Sequence, residues 1–167
     1  MIDDDMRALI AAQRLCYAAT VAADGRPNLS PKGTIRVWDD RHLFFCDIAS
    51  PGTRANLGAN PWIELNVVDP LSRRGYRFRG TATVHAGDAV YRDALARLAA
   101  EERVSYAVHA VVLVKVERVL SIASPAYERV PDEAAMRELW RDRRAGLEAQ
   151  FEQHLARRGP WRPEWAR

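Results

Sequence analysis

A chain of 167 residues with 48% hydrophobic and 28% charged content is long enough to bury about 70% of its unfolded surface in one domain without disulfide or metal staples. No apolar run reaches membrane-spanning length and no signal-peptide pattern opens the chain, so a cytoplasmic protein with no membrane partner is expected. The net charge of +3 is mild and comes from 25 basic residues of which only Lys32 and Lys115 are lysines, an arginine bias that gives no reason to expect nucleic-acid binding.

Residues 3–13, DDDMRALIAAQ, place acids in a first turn and Met6, Leu9 and Ile10 near one face, which predicts a short amphipathic helix at one end of a barrel. Leu15 to Ala23 is apolar apart from Thr20. Asp24 and Gly25 then give the strongest hairpin signal in the chain, and a second strand runs from Asn28 to Trp38. Cys16 and Cys46 lie far apart without C-x-x-C spacing and read as two buried free thiols. A third strand, His42 to Asp47, leads into the run FFCDIASPGTRANLGANP, residues 44–61.

In that run Ser50 suits an N-cap and Pro51 sits where a missing N–H costs nothing, so a helix is predicted from residue 51 to Asn60 and Pro61. Its first turn holds no acid, although the positive end of a helix favours one. Gly52, Thr53 and Arg54 stand there instead, and with free backbone N–H groups they suit an external anion such as phosphate. An ordinary short surface helix with a solvated Arg54 is the competing reading.

Trp62 to Asp69 forms a fourth strand, Pro70 to Gly75 a polar loop and Tyr76 to His85 a fifth strand. A helix follows over Asp88 to Glu102, then a long Val-rich sixth strand over Ala107 to Ile122. Six strands with few helices predict a mainly β protein, a closed or nearly closed barrel with peripheral helices. The chain is read as one domain, with a charged helical extension from about residue 132 to Arg158 and a Trp- and Pro-bearing tail over 159–167. On the second strand Ser30, Lys32, Thr34 and Arg36 share one face, opposite Leu29, Pro31, Gly33, Ile35 and Val37. On the fifth, Arg77, Arg79, Thr81 and Thr83 share one. Two basic, hydroxyl-bearing faces are thus available to a site, unless they are the solvated sides of an antiparallel sheet.

The runs RPNLSPKGT at 26–34, DIASPGTRANLGANP at 47–61 and NVVDPLSRRGYRFRGTATV at 66–84 resemble, in this order, the flavin-binding split-barrel family related to pyridoxamine 5′-phosphate oxidase. The resemblance covers roughly Leu15 to Ser124. It implies a six-stranded antiparallel Greek-key barrel, a homodimer, and FMN held in two equivalent clefts at the dimer interface. Carried over by position, it implies that Ser50, Thr53 and Arg54 hold the phosphate, that Ser30, Lys32 and Thr34 lie near the phosphate or ring, and that Arg74, Gly75 and Tyr76 stand beside the ring. The expected activity is that of an FMN-dependent oxidoreductase acting on a small molecule. A non-catalytic cofactor-binding or sensing protein, or a relative using deazaflavin or haem, is the alternative.

Two features depart from the family pattern. The ending HLARRGPWRPEWAR does not align with the Arg- and Trp-containing segment that binds the substrate phosphate in the oxidases proper, and the basic pair at the helix corner is represented by Arg54 beside Thr53. Catalytic residues are therefore unassigned. His42, His85, His109 and His154 lie on separate elements without metal-ligand spacing, so no metal is expected, and no G-x-S-x-G, P-loop or dinucleotide fingerprint is present. The stripe Met136, Leu139, Trp140, Leu147, Phe151 and Leu155 predicts that the last helix docks on its own barrel or on a partner subunit and shapes the substrate side of the cleft.

Overall fold

The computed structural model describes residues 1–159; the tail from residue 160 lies outside the described residues. Asp3, Asp88 and Asp132 accept the backbone N–H groups of Met6, Tyr91 and Ala135, and these short acidic caps open α1 (Asp4–Gln13), α3 (Ala89–Glu101) and α4 (Glu133–Arg158). The strands are β1 (Cys16–Val21), β2 (Pro27–Lys32), β3 (Arg36–Val37), β4 (His42–Asp47), β5 (Trp62–Asp69), β6 (Arg74–His85) and β7 (Ala110–Ala123), with α2 (Pro51–Ala59) between β4 and β5. No helix among the described residues is long and apolar enough to cross a membrane.

The chain divides into two compact units. The first, Met1–Asp69 with Arg74–Ile122, is one curled sheet in the order β2-β1-β5-β6-β7-β4-β3, with α1, α2 and α3 around it. Pairing is antiparallel between β1 and both β2 and β5, between β5 and β6, and between β4 and both β3 and β7. β2 and β3 follow each other in sequence yet lie on opposite edges of that sheet. The three residues between them, Gly33 to Ile35, therefore carry the chain from one edge to the other and leave a split barrel. This is why the second predicted strand divides in two. Thr34 replaces a ladder contact at the crossing, its Oγ1 accepting the Cys46 N–H at 2.8 Å. The alternation predicted for Leu29 to Val37 breaks there as well: Thr34, Ile35 and Arg36 are all buried, whereas Leu29 and Pro31 are exposed.

β4 is buried on both faces, as a near-continuous apolar strand should be. Leu43 and Phe45 enter the barrel core with Ile10, Cys16, Ile35, Leu65, Val67 and Phe78, while Phe44 and Cys46 face a second cluster made by Ala94 and Leu98 of α3 with Val111. Both cysteines are free and buried. Burial pushes the Cys16 thiol up to about 12, against the pull of the Lys32 charge, and the Cys46 thiol up to about 11. At the C-terminal end of α3, Arg36, itself buried, donates from Nε to Glu101 at 2.7 Å and from Nη2 to Glu102 at 3.0 Å.

The second unit comprises Pro70–Arg73 and the described residues from Ala123 onward. A 3₁₀ turn at Pro125–Glu128 is tied to the short loop, with the Tyr127 hydroxyl donating to the Ser72 carbonyl at 2.6 Å and the Ser124 N–H to the Arg73 carbonyl at 2.9 Å. Arg73 lays its guanidinium 4.1 Å from the centroid of the Trp140 ring, and that of Arg143 lies at 5.2 Å. Of the predicted α4 stripe, Met136 is buried, while Leu139, Leu147 and Phe151 are exposed.

Candidate functional site

The corner where β4 passes into α2 gathers five of the nine residues singled out from the sequence: Ser30, Lys32, Ser50, Thr53 and Arg54. β2 brings Ser30 and Lys32 to the inner face of the sheet, because their register partners on β1 are Ala18 and Cys16, both fully buried. α2 packs over β1 and β2 there, and its Asn56 donates to Thr20 at 3.0 Å.

The Lys32 side chain is buried, with the residue only 3% exposed. Its ammonium donates to Ser30 Oγ at 2.5 Å and to Ser50 Oγ at 2.7 Å. An ammonium has three N–H donors, so these two hydroxyls leave one. Burial holds the Lys32 pKa below its ordinary value, opposed by Asp47 and by Cys16.

Ser50 occupies the N-cap position as predicted, yet its side chain makes no capping bond. That oxygen accepts from Lys32 instead. The first turn of α2 thus keeps N–H groups without an intrahelical partner, and it contains no acid. Thr53 in that turn is buried, and its Oγ1 finds no hydrogen-bond partner among the described residues. Arg54 is half-exposed, its Nη1 lying 3.6 Å from Asp47 Oδ2. A buried ammonium, an uncapped helix start, an orphaned hydroxyl and a guanidinium within one turn form a donor set that fits an anionic oxygen group such as phosphate.

Asp47 was not singled out from the sequence. It is buried, and its Oδ1 accepts the Ser50 N–H at 2.8 Å, fixing the turn between strand and helix. The signal was present as an Asp at the strand end, three residues before the N-cap Ser50, a spacing suited to a local side-chain to backbone bond.

The other four residues stand elsewhere. Thr34 spends its hydroxyl on the backbone of Cys46 at the crossing between sheet edges. Arg74 and Tyr76 converge on Asp5 of α1: Arg74 donates through both terminal nitrogens at 2.9 and 3.1 Å, and the Tyr76 hydroxyl donates at 2.6 Å. These bonds hold the Asp5 carboxyl below the usual carboxylate range and push the Tyr76 phenol up. Gly75 lies where β6 meets β5 so closely that a Cβ would run into the Val67 carbonyl oxygen.

The two basic strand faces also part company. Ser30 and Lys32 point inward, whereas Arg77 and Arg79 of β6 point outward and pair with Glu64, Arg79 at 2.6 Å and Arg77 at 3.7 Å. They are the solvated side of the sheet and do not join the corner.

A curled antiparallel sheet with peripheral helices and a donor-rich strand–helix corner defines the class, the split barrels. The sequence profile described as pyridoxamine 5′-phosphate oxidase matches residues 2–123, and the chain belongs to that family. It is similar to HupZ of Group A Streptococcus, with 36% identity over 74% of this chain and 96% of that one, TM-score 0.66. A pyridoxamine 5′-phosphate oxidase-like protein of Lactobacillus delbrueckii shares 28% identity over 71% of this chain and 92% of that one, TM-score 0.61. At lower identity the likeness is one of fold alone. It extends to an FMN-binding protein from Syntrophomonas wolfei (15%, covering 71% of this chain and 84% of that one, TM-score 0.61), an F420 reductase (20%, 71% and 98%, 0.55) and the haem storage protein HutZ from Vibrio cholerae (14%, 72% and 94%, 0.56). No curated protein sequence matches the chain.

Proposed function

We propose that this chain is an FMN-dependent oxidoreductase acting on a small molecule, with the flavin phosphate seated at the corner between β4 and α2. One observation carries the reading: the buried Lys32 ammonium, clasped by Ser30 and Ser50, stands beside an uncapped helix start that holds Thr53 and Arg54. The Lys32 ammonium keeps one N–H donor that neither hydroxyl takes, so a ligand oxygen can still bond to it, and membership of the family makes FMN the first candidate.

In this reading Lys32, Ser50, Thr53 and Arg54 hold the phosphate, Ser30 orients Lys32, and Arg74, Gly75 and Tyr76 stand on the ring side with Asp5 fixing two of them. Bound flavin would supply the hydride or electron transfer, so the chain's residues have only to bind, orient and exclude water. The enclosing second wall would come from another copy of the chain, as a homodimer. On the outer face of β2, β1 and β5, Tyr17, Val21, Leu29, Trp62 and Val68 are exposed large apolar side chains on one side of one sheet.

The test begins with the visible absorption spectrum of the purified protein, which separates a flavin from a deazaflavin or a haem. Titration of the cofactor-free protein with FMN and with riboflavin follows. FMN should bind at least about tenfold more tightly, since a charge-assisted hydrogen bond contributes about 1.5–3 kcal/mol. Equal affinities would remove the phosphate from the corner. Reduction of the bound flavin by a nicotinamide donor and its reoxidation by oxygen would distinguish an enzyme from a binding or sensing module.

A further inference from the structure

We propose that Asp47 is the residue that sets the anion selectivity of the corner: a built-in carboxylate that offsets one of its two cations and so restrains the attraction for phosphate. The proposal rests on the reading of this corner as an anion seat. Three formal charges meet there, the cations Lys32 and Arg54 and the anion Asp47. The Asp47 side chain is 3% exposed, whereas that of Arg54 is 45% exposed, so the carboxylate is the part of the pair withdrawn from water.

Its two oxygens do different things. Oδ1 accepts the Ser50 N–H at 2.8 Å and so shapes the turn. Oδ2 lies 3.6 Å from Arg54 Nη1, too far for a hydrogen bond but close enough for a strong charge interaction. The ammonium of Lys32 reaches the same turn through Ser50, whose own N–H Asp47 holds. Asp47 therefore interacts with the same two cations that an incoming anion must engage. A ligand phosphate would meet attraction from Lys32 and Arg54 and repulsion from Asp47. Net attraction then depends on direct bonds to the uncapped turn as much as on charge, which favours a ligand whose oxygens fit that turn over any diffusing anion.

The substitution Asp47→Asn separates shape from charge, because an asparagine Oδ1 can still accept the Ser50 N–H while the negative charge is gone. Cofactor-free wild type, Asp47→Asn and Arg54→Ala would be titrated at low ionic strength with FMN, riboflavin and inorganic phosphate, and each melted to confirm folding. In Asp47→Asn, affinity for FMN should rise at least about fivefold and that for inorganic phosphate by a larger factor, so that the preference for FMN narrows, with a steeper loss on adding salt, while riboflavin binding stays unchanged. Asp47→Ser, which keeps a short oxygen acceptor, carries the same expectation should the Asn variant fail to fold. If FMN affinity is unchanged or falls in both Asp47 variants while Arg54→Ala still weakens FMN, the seat stands and Asp47 is only a structural brace. If neither Asp47 nor Arg54 substitutions alter FMN relative to riboflavin, the anion seat itself falls.

Discussion

Lys32 carries a charge into a position where the ordinary outcome is a hydrophobic side chain, between Cys16 on β1 and the ring of Phe45, whose centroid lies 5.7 Å from the ammonium. The site is tolerable because two hydroxyls and a nearby carboxylate compensate it. Burial lowers its pKa below 10.5, so the folded protein releases this proton more readily than the unfolded chain. The resulting cost to the fold is present at neutral pH and disappears as pH rises through the folded pKa towards the unfolded value. A bound anion favours the protonated form and should raise that pKa again. FMN affinity is accordingly expected to fall, and riboflavin affinity to hold steady, as pH rises through the lowered Lys32 pKa; a titration series over alkaline pH reads this, and Lys32→Met should abolish the difference. Arg54→Ala tests the other cation, with FMN weakened about ten- to a hundredfold and riboflavin unaffected in the same titration. Ser50→Ala should weaken FMN less. The stability it loses comes from an acceptor for Lys32, since no capping bond exists to be lost.

Among elements, β6 shows how closely the sheet is drawn together. A Cβ at Gly75 would run into the Val67 carbonyl oxygen on β5, and one at Gly80 into the Lys115 carbonyl oxygen on β7. Neither obstacle is a flexible side-chain end. Gly75→Ala and Gly80→Ala should each destabilise by about 2–4 kcal/mol in chemical denaturation, because backbone must move in a strand paired on both sides. Gly146 in α4 is the counter-case, since an added methyl there would meet only open space; Gly146→Ala should stabilise by about 0.5–1 kcal/mol. The same contrast between local and distant causes explains what could be read from the sequence. Helix starts at Asp3, Asp88 and Asp132, the Asp24–Gly25 hairpin and the span of α2 depend on neighbours in sequence, and all were legible. The break at Gly33 to Ile35 was not, because it arises from the two ends of the sheet coming to opposite edges of one barrel. Nor was the inward turn of Lys32 against the outward turn of Arg79 readable, since alternation defines two faces but not which one meets the core. At the corner the residue types were legible, but the diversion of Ser50 from cap to lysine partner required the approach of β2 in three dimensions.

At the scale of the molecule, the outer face of the sheet asks for a cover. Leu29 is 66% exposed, and Tyr17 and Trp62 are each 49% exposed on the same side of β2, β1 and β5. Beside them a recess of about 510 Å³ is lined by Val21, Pro27 and Trp62 and by the Glu64–Arg79 ion pair. Single exposed apolar residues are ordinary, but several on one sheet face, interleaved with a charge pair, are what a surface for a second copy would present. A second copy related by a two-fold axis would lay this face on itself and bury Leu29 and Trp62 against the same residues of its mate. Sedimentation equilibrium should then show a dimer across a wide concentration range, and FMN should shift any residual monomer towards it if the partner supplies a wall of the cleft. Leu29→Arg with Trp62→Arg would place four cations in the centre of that contact. The double variant should sediment as a folded monomer and bind FMN more weakly than wild type, although every residue of the corner is intact. A wild-type monomer that holds FMN tightly would show instead that one barrel closes the site alone.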